Sequence, residues 1–201
     1  MTTERRTIDR AARIEQRDGG KRVLTGYASV FYRAGDPGTE YQMWPGCMER
    51  IMPGAFSRAL RENQDVQALF NHDGNKILGR TASGTCRLSE DAVGLRYEID
   101  LPNTTDPPNL PELIERGDVS GSSFAFRASV VQWSDDGENE IRSIMDCDLF
   151  DVGPVGRPAY AGTTTGMRAD DINAVRAEMM RHKQQADAVA VRLRELELED
   201  V

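Results

Sequence analysis

The sequence is short of positive charge and has no long apolar run. It contains 25 Lys and Arg residues against 33 Asp and Glu residues, a net charge of −8. Because nucleic acids are bound mainly through basic surfaces, this balance argues against a nucleic-acid partner. The apolar stretches are only a few residues long, whereas a membrane-spanning helix needs about 20. No apolar signal-peptide segment follows the charged N-terminus, so we expect a protein that works in a cytoplasm without membrane attachment.

Cysteine and histidine are also scarce. The three cysteines, Cys47, Cys86 and Cys147, lie far apart and form no Cys-x-x-Cys pair. This spacing excludes a disulfide framework and a cysteine zinc ribbon. Catalytic zinc is normally held by three protein ligands that include histidine, but the two histidines, His72 and His182, are far apart in the chain. We therefore expect no metal and no cofactor.

Strand patterns dominate the first 160 residues. Residues 94–101 alternate apolar and charged side chains almost perfectly, which is typical of a half-buried strand. Turn residues such as Gly, Asn, Asp and Pro bound the other segments. The predicted strand segments are residues 21–32, 66–70, 94–101, 119–133 and 141–155. Many short strands with such turns favour a mainly β fold of the α+β class, built around a closed or nearly closed β-barrel.

Three helices are predicted to accompany the strands. Residues 53–60 and 110–116 each group their apolar side chains on one side, and we expect these short helices to cover the barrel. From Asp170 onward the chain has no Gly, Pro or aromatic residue. Eight side chains there recur at alternating spacings of three and four, which is the seam of a heptad helix. The seam consists of Ile172, Val175, Met179, His182, Ala186, Val189, Leu193 and Leu196.

These patterns divide the chain into three parts. Residues 1–20 are predicted to be an N-terminal extension, residues 21–166 the barrel domain, and residues 167–201 the helical tail. The second boundary is placed near Gly166 because residues 160–166 have the composition of a linker.

His72 and Ser123 have side chains suited to proton transfer and nucleophilic attack. His72 lies in an Asn-His-Asp-Gly turn after a strand, where an imidazole can take and return a proton near neutral pH. Strand alternation places Ser123 on the face opposite Phe124 and Phe126, among small or polar neighbours that leave room for a peptide. By the same rule Ser122 points inward. Alternatively, His72 is a locally bonded turn histidine and both serines fill the strand, because a hydroxyl needs an adjacent base to act as a nucleophile.

Asp151 is the candidate for the group that orients His72. In one regular strand Asp151 shares a face with Leu149 and Cys147, where a carboxylate needs a hydrogen-bond partner. An imidazolium is a suitable partner, and the acid of a Ser-His-acid arrangement fixes the ring in this way. The alternative is an exposed edge-strand or turn aspartate. Cys147 shares this apolar face, so we expect it to be buried without a catalytic role. Asp73, Asp146 and Asp148 remain candidates for the acid.

Taken together, several segments resemble the capsid maturation (prohead) proteases of tailed phages. They follow one another in the family's order over roughly residues 25–160, and the helical tail is unmatched. The segments read ERIMPGAF, NHD with a nearby ILG, GLRYEIDLP, ELIERGDVSGSSFAF and LFDVGPVGRPAY.

The resemblance implies a serine endopeptidase with a β-barrel related to the herpesvirus assembly proteases. It implies that Ser123, directly before the Phe-x-Phe pair, is the nucleophile and that His72 of the Asn-His-Asp segment is the base. Herpesvirus-type enzymes use a second histidine as the third member, and Asp151 stands where that histidine would align. A carboxylate can accept the same hydrogen bond from the base.

We therefore expect an endopeptidase that cleaves scaffold protein, or the scaffold segment of the capsid subunit, during prohead maturation. The resemblance also implies self-cleavage and a location inside the assembling prohead in the host cytoplasm. The alternative is a non-catalytic capsid assembly or scaffolding protein that binds shell subunits through its C-terminal helix. That helix is expected to dock on scaffold helices, to pair two copies of the chain, or to fold back on the barrel.

Overall fold

The structure of the protein, a computed structural model, describes residues 3–103, 109–156 and 169–199. These residues fall into two compact units, one within residues 3–156 and one that consists of the C-terminal helix. The boundary predicted near Gly166 lies outside the described residues.

Strands make up most of the first unit, and its described residues form a sheet of seven strands and a sheet of four. The larger sheet consists of β1 (Glu4–Ile8), β4 (Glu40–Trp44), β5 (Cys47–Ile51), β6 (Gln67–Leu69), β7 (Ile77–Arg80), β10 (Gly121–Asp135) and β11 (Glu140–Val155). The smaller sheet consists of β2 (Arg13–Arg17), β3 (Lys21–Val30), β8 (Cys86–Glu90) and β9 (Gly94–Asp100).

The two longest strands, β10 and β11, form the centre of the larger sheet and pair antiparallel. On the far side of β10, β1 pairs antiparallel and forms an edge of the sheet. On the far side of β11, β5 pairs with its first residues and β6 with later residues, both in parallel. The turn that follows β6 therefore lies beside the end of β11.

The helices are α1 (Ser57–Arg61), α2 (Leu110–Glu115) and α3 (Ala169–Glu199). The Glu90 carboxylate accepts hydrogen bonds from the backbone N–H of Phe56, at 3.0 Å, and from the Ser57 hydroxyl at the start of α1. The first of these bonds satisfies one of the backbone N–H groups that a helix N-terminus leaves unpaired. Among the described residues, no helix combines the length and the apolar character that a membrane span requires.

One hydrophobic core contains side chains from both sheets and from α1 and α2. Alternation along β10 directs Phe124 and Phe126 into this core, where neither side chain is exposed. Their rings stack with centroids 4.8 Å apart, and Phe56 meets Phe124 edge to face at 5.5 Å. Both are favourable aromatic geometries, and they fix the inner face of β10.

The predicted α+β class with mostly strands is confirmed, and so is a C-terminal helix. The closed or nearly closed barrel expected from the sequence is not found: in the described residues, no ladder of hydrogen bonds joins the two sheets. A barrel needs such a ladder around its whole circumference, and an alternating pattern identifies a buried face without identifying which edges pair. Residues 1–20, predicted to be an extension, contribute β1 and β2. The relation to herpesvirus proteases stays a prediction.

Candidate active site

Ser123, His72 and Asp151 meet where β10, β11 and the turn after β6 come together. His72 Nε2 lies 2.6 Å from Ser123 Oγ, and His72 Nδ1 forms a hydrogen bond with Asp151 Oδ1. Asp151 is 8% exposed and Ser123 is fully buried. The imidazole thus joins the hydroxyl to the carboxylate, an arrangement in which a base faces a nucleophile and an acid orients the base.

A β-bulge brings Asp151 to the face of β11 that Ser123 shares. Asp151 pairs with Ala125 and Leu149 pairs with Phe126, so Phe150 is the extra residue between these two pairs. A bulge inserts one residue and reverses the side-chain alternation beyond it. The expectation that Asp151 shares a face with Leu149 in a regular strand is therefore wrong, because Leu149 faces the core with Phe126.

The other candidate aspartates have different partners. Asp148 accepts hydrogen bonds from Arg127 and Arg58, which hold the pKa of Asp148 well below its ordinary value. Asp146 is bonded to Arg58. Asp73 accepts from the backbone N–H of Asn75, which lowers the pKa of Asp73. The carboxylates of these three aspartates are therefore bonded to arginine side chains or to a backbone N–H. The carboxylate that forms a hydrogen bond with His72 Nδ1 is that of Asp151.

The turn that carries His72 has an unusual backbone. Asn71 and His72 have φ values of +54° and +56°, a left-handed conformation that is uncommon for residues other than glycine. Bonds to the end of β11 hold the turn: the Asn71 N–H donates to the Pro154 carbonyl at 3.1 Å, and Asn71 Oδ1 accepts from the Gly156 N–H at 2.9 Å. Strained backbone of this kind is tolerated where surrounding contacts determine it, and here those contacts position the imidazole.

Gly153 allows the two segments of the site to approach closely. It pairs with Ser123 across the ladder, and a Cβ atom at this position would lie 2.0 Å from the Leu69 carbonyl oxygen. Leu69 is the last residue of β6, three residues before His72. The absence of a side chain at Gly153 therefore sets the separation of the His72 turn from β11.

Gly153→Ala is expected to destabilise the fold by about 3 kcal/mol, because overpacking must push backbone apart. It is also expected to reduce any activity that depends on the contact between His72 and Ser123. Thermal unfolding followed by circular dichroism measures the first effect. Gly156→Ala is the control, since its Cβ would meet the nearest atom, the Asp118 carbonyl oxygen, at 3.7 Å. Equal unfolding temperatures for the two variants would contradict the close-approach argument.

Ser122 and Cys147 occupy the positions predicted for them. Ser122 points to the core side, where its hydroxyl lies 2.8 Å from the hydroxyl of Tyr97. Cys147 is fully buried, with its Sγ 3.5 Å from the Ala55 carbonyl oxygen, and burial raises the pKa of its thiol. A buried thiol with a raised pKa is a poor nucleophile.

β1 lies across Ser123, on the face of β10 where small and polar neighbours leave room for a peptide. Thr7 pairs with Ser123 in the ladder, and the Thr7 hydroxyl donates to Ser123 Oγ at 3.1 Å. Ser123 Oγ in turn donates to the Arg6 carbonyl at 2.8 Å. A serine has one hydroxyl proton, so a proton directed to Arg6 is not directed to His72.

A sequence model of the caudovirus prohead serine proteases matches residues 9–178. The chain belongs to this family. The comparisons with curated proteins and with solved structures gave no match. Ser123, His72 and Asp151 all lie within the matched range, whereas β1 precedes it and α3 extends beyond it.

An acyl-transferring protease also needs donors for the oxyanion of its tetrahedral intermediate. Backbone amides near Gly153 and Gly156, around the end of β11, are candidates for these donors. The Gly156 N–H already donates to Asn71, so it serves the His72 turn in this arrangement.

Sequence reasoning missed the contribution of β1 to the site of this prohead protease. The side chains of Glu4, Arg6 and Ile8 face inward and are buried, but two of the three are charged. The period-two apolar signal of a half-buried strand is therefore absent, and nothing in the sequence indicates that Arg6 and Thr7 contact the serine.

Proposed function

We propose that the protein is a Ser-His-Asp endopeptidase that acts during prohead maturation. Its substrates are scaffold protein or the scaffold segment of the capsid subunit, and the chain itself. It works inside the assembling prohead in the host cytoplasm. The observation that carries this proposal is the contact of His72 with Ser123 on one side and Asp151 on the other, in a member of a serine protease family.

The proposed mechanism assigns one role to each side chain. Ser123 Oγ attacks the carbonyl carbon of the scissile bond while His72 Nε2 takes the hydroxyl proton. Asp151 accepts the Nδ1 hydrogen, which keeps Nε2 facing the serine and stabilises the imidazolium. His72 then protonates the leaving amine, and the resulting acyl-enzyme is hydrolysed by water that His72 activates in the same way.

Incubation of the purified protein with its capsid and scaffold proteins tests this function. We expect discrete new fragments, and a serine-directed phosphonate should add one adduct that peptide mapping assigns to Ser123. A folded protein that produces no fragment and takes no adduct would favour the non-catalytic assembly protein instead.

The C-terminal helix supports a further part of the proposal, the pairing of two copies of the chain. Val189 and Leu193 on the heptad seam of α3 are 59% and 56% exposed, although they are large apolar side chains. A regular heptad seam is buried when two helices pack against each other. We propose that α3 pairs with α3 of a second copy and holds two protease units together.

The double variant Val189→Glu/Leu193→Glu is expected to dissociate this pair. Losing two buried apolar contacts on each helix costs about 3 kcal/mol, which raises the Kd about 100-fold. Sedimentation equilibrium measures the change. Val191→Glu is the control, because Val191 is similarly exposed, at 54%, but lies outside the seam. A wild-type chain that stays monomeric at all concentrations would contradict pairing and favour docking on scaffold helices.

A further inference from the structure

β1 lies on β10 in the manner of a bound peptide. Many peptide-binding proteins hold an extended ligand as an added antiparallel strand at a sheet edge. β1 has this geometry: it is five residues long, lies at the end of the sheet, and pairs with β10 from Glu4 opposite Phe126 to Ile8 opposite Ser122. It also precedes the range that matches the protease family.

The peptide bond between Arg6 and Thr7 lies at Ser123. The carbonyl of Arg6 accepts the hydrogen bond from Ser123 Oγ at 2.8 Å, and Thr7 is the ladder partner of Ser123. In a peptide that took the place of β1, the residue equivalent to Arg6 would supply the carbonyl that faces the nucleophile. The enzyme would then recognise the side chain of that residue, which lies on the acyl side of the scissile bond.

The side chain of Arg6 enters a buried, charge-complementary pocket and is only 2% exposed. Its Nε and Nη2 donate to the two carboxylate oxygens of Glu49 at 2.5 and 2.8 Å, and its guanidinium lies 5.3 Å from the centre of the Phe126 ring. This two-point contact with a carboxylate matches the planar fork of arginine, which lysine cannot reproduce. Glu49 is fully buried, so an uncharged side chain in this pocket would leave it without this partner.

The charges of the pocket stay balanced when β1 leaves. β1 contributes one acid and one base, Glu4 and Arg6, and the rest of the fold contributes Glu49 and Arg142. Arg142 contacts Glu49 at 2.6 Å and Glu4 at 2.8 Å. Burial raises the pKa of Glu49, but the guanidiniums of Arg6 and Arg142 outweigh it and lower that pKa overall. A replacing segment completes this arrangement if it brings an arginine with a glutamate two residues before it.

We propose that β1 occupies the place of the substrate segment on β10, and that Glu49 selects arginine as the residue on the acyl side of the cleaved bond. The preferred substrate segment is Glu-x-Arg followed by the cleaved bond, and β1 closes the site until such a segment displaces it. This inference rests on the proposed function, since it assigns a specificity to that active site.

The first test measures access to Ser123. The variant Glu4→Ala/Arg6→Ala removes one charge of each sign from β1 and keeps the pair of Arg142 and Glu49. We expect a fluorophosphonate to label Ser123 about tenfold faster in this variant than in the wild-type chain, because labelling follows the fraction of open molecules. Arg5→Ala on the same strand is the control and should label within about twofold of wild type. An unchanged rate in the folded double variant would overturn the assignment of β1.

The second test measures the cleavage specificity of the Glu4→Ala/Arg6→Ala variant with two peptides. One has the sequence of residues 3–9, and the other is identical except for methionine in place of the arginine at position 6. We expect cleavage at the Arg–Thr bond, with kcat/KM at least about 100-fold higher for the arginine peptide. Adding Glu49→Gln should bring this ratio close to one. Equal cleavage of the two peptides, or cleavage at another bond, would overturn the role of Glu49.

A third test uses the wild-type chain, so its result does not depend on whether a variant folds. The C-terminal residues of the fragments that it releases from capsid or scaffold protein should be arginine, and fragments that end in non-basic residues would overturn the specificity. This failure differs from failure of the proposed function, in which no fragment is released and the phosphonate labels no variant.

Discussion

Ser123→Ala is expected to lower cleavage of the capsid or scaffold substrate by about 10⁴-fold or more, because it removes the nucleophile and leaves binding intact. The matched variant Ser122→Ala should keep activity within about threefold, since the Ser122 hydroxyl bonds to Tyr97 on the core side and not to His72. Fragment appearance over time measures both rates. Equal retention of cleavage in the two variants would exclude a serine mechanism at this site.

Ser122→Ala is expected to lower the free energy of unfolding relative to the wild-type chain. It leaves the buried hydroxyl of Tyr97 without this partner, which costs about 1–2 kcal/mol. Chemical unfolding of this variant and of the wild-type chain measures the difference. Loss of cleavage in Ser122→Ala alone would mean that Ser122, and not Ser123, is the nucleophile.

The alternation of side chains along β10 could be predicted from the sequence. Phe124 and Phe126 mark the buried face without ambiguity, and in an extended strand each neighbour must point the other way. The separate faces of Ser122 and Ser123 follow from this rule alone. Turn residues around His72 similarly indicated that the histidine follows a strand, which is where the structure has it after β6.

The position of Asp151 depended on a feature that the sequence does not reveal. The bulge at Phe150 shifts Asp151 to the face of Ser123, and a bulge is set by the fit of two strands rather than by a local residue pattern. The regular-strand interpretation placed Asp151 among apolar neighbours and left three other aspartates as candidates. The resemblance to a family implied a role for Asp151, and its contact with His72 is seen in the structure.

The role of β1 could not be predicted from the sequence for a similar reason. Its pairing with β10 joins residues that are more than 100 positions apart in the chain, and its inward charges are stable only because Glu49 and Arg142 are buried opposite them. Buried charges need partners, but a single sequence does not say which distant residues supply them. Charged side chains at alternate positions indicate an exposed strand until those partners are known.

Asp151→Asn is expected to lower kcat by about 10⁴-fold while the fold remains intact. The carboxylate accepts the hydrogen on His72 Nδ1. An amide NH₂ in its place donates to Nδ1 instead, so the neutral ring carries its proton on Nε2 and presents no lone pair to Ser123 Oγ. Phosphonate labelling of Ser123 should fall together with peptide cleavage, because both require proton removal by His72.

Asp148→Asn is the matched control for this prediction. Asp148 is a neighbouring aspartate on β11 whose carboxylate binds Arg127 and Arg58 rather than His72. Its replacement should lower the unfolding temperature, because it removes charge-assisted hydrogen bonds, but should leave kcat within about threefold of wild type. A loss of kcat in Asp148→Asn as large as in Asp151→Asn would mean that the orientation of His72 does not depend on a specific carboxylate, and the Ser-His-Asp assignment would fail.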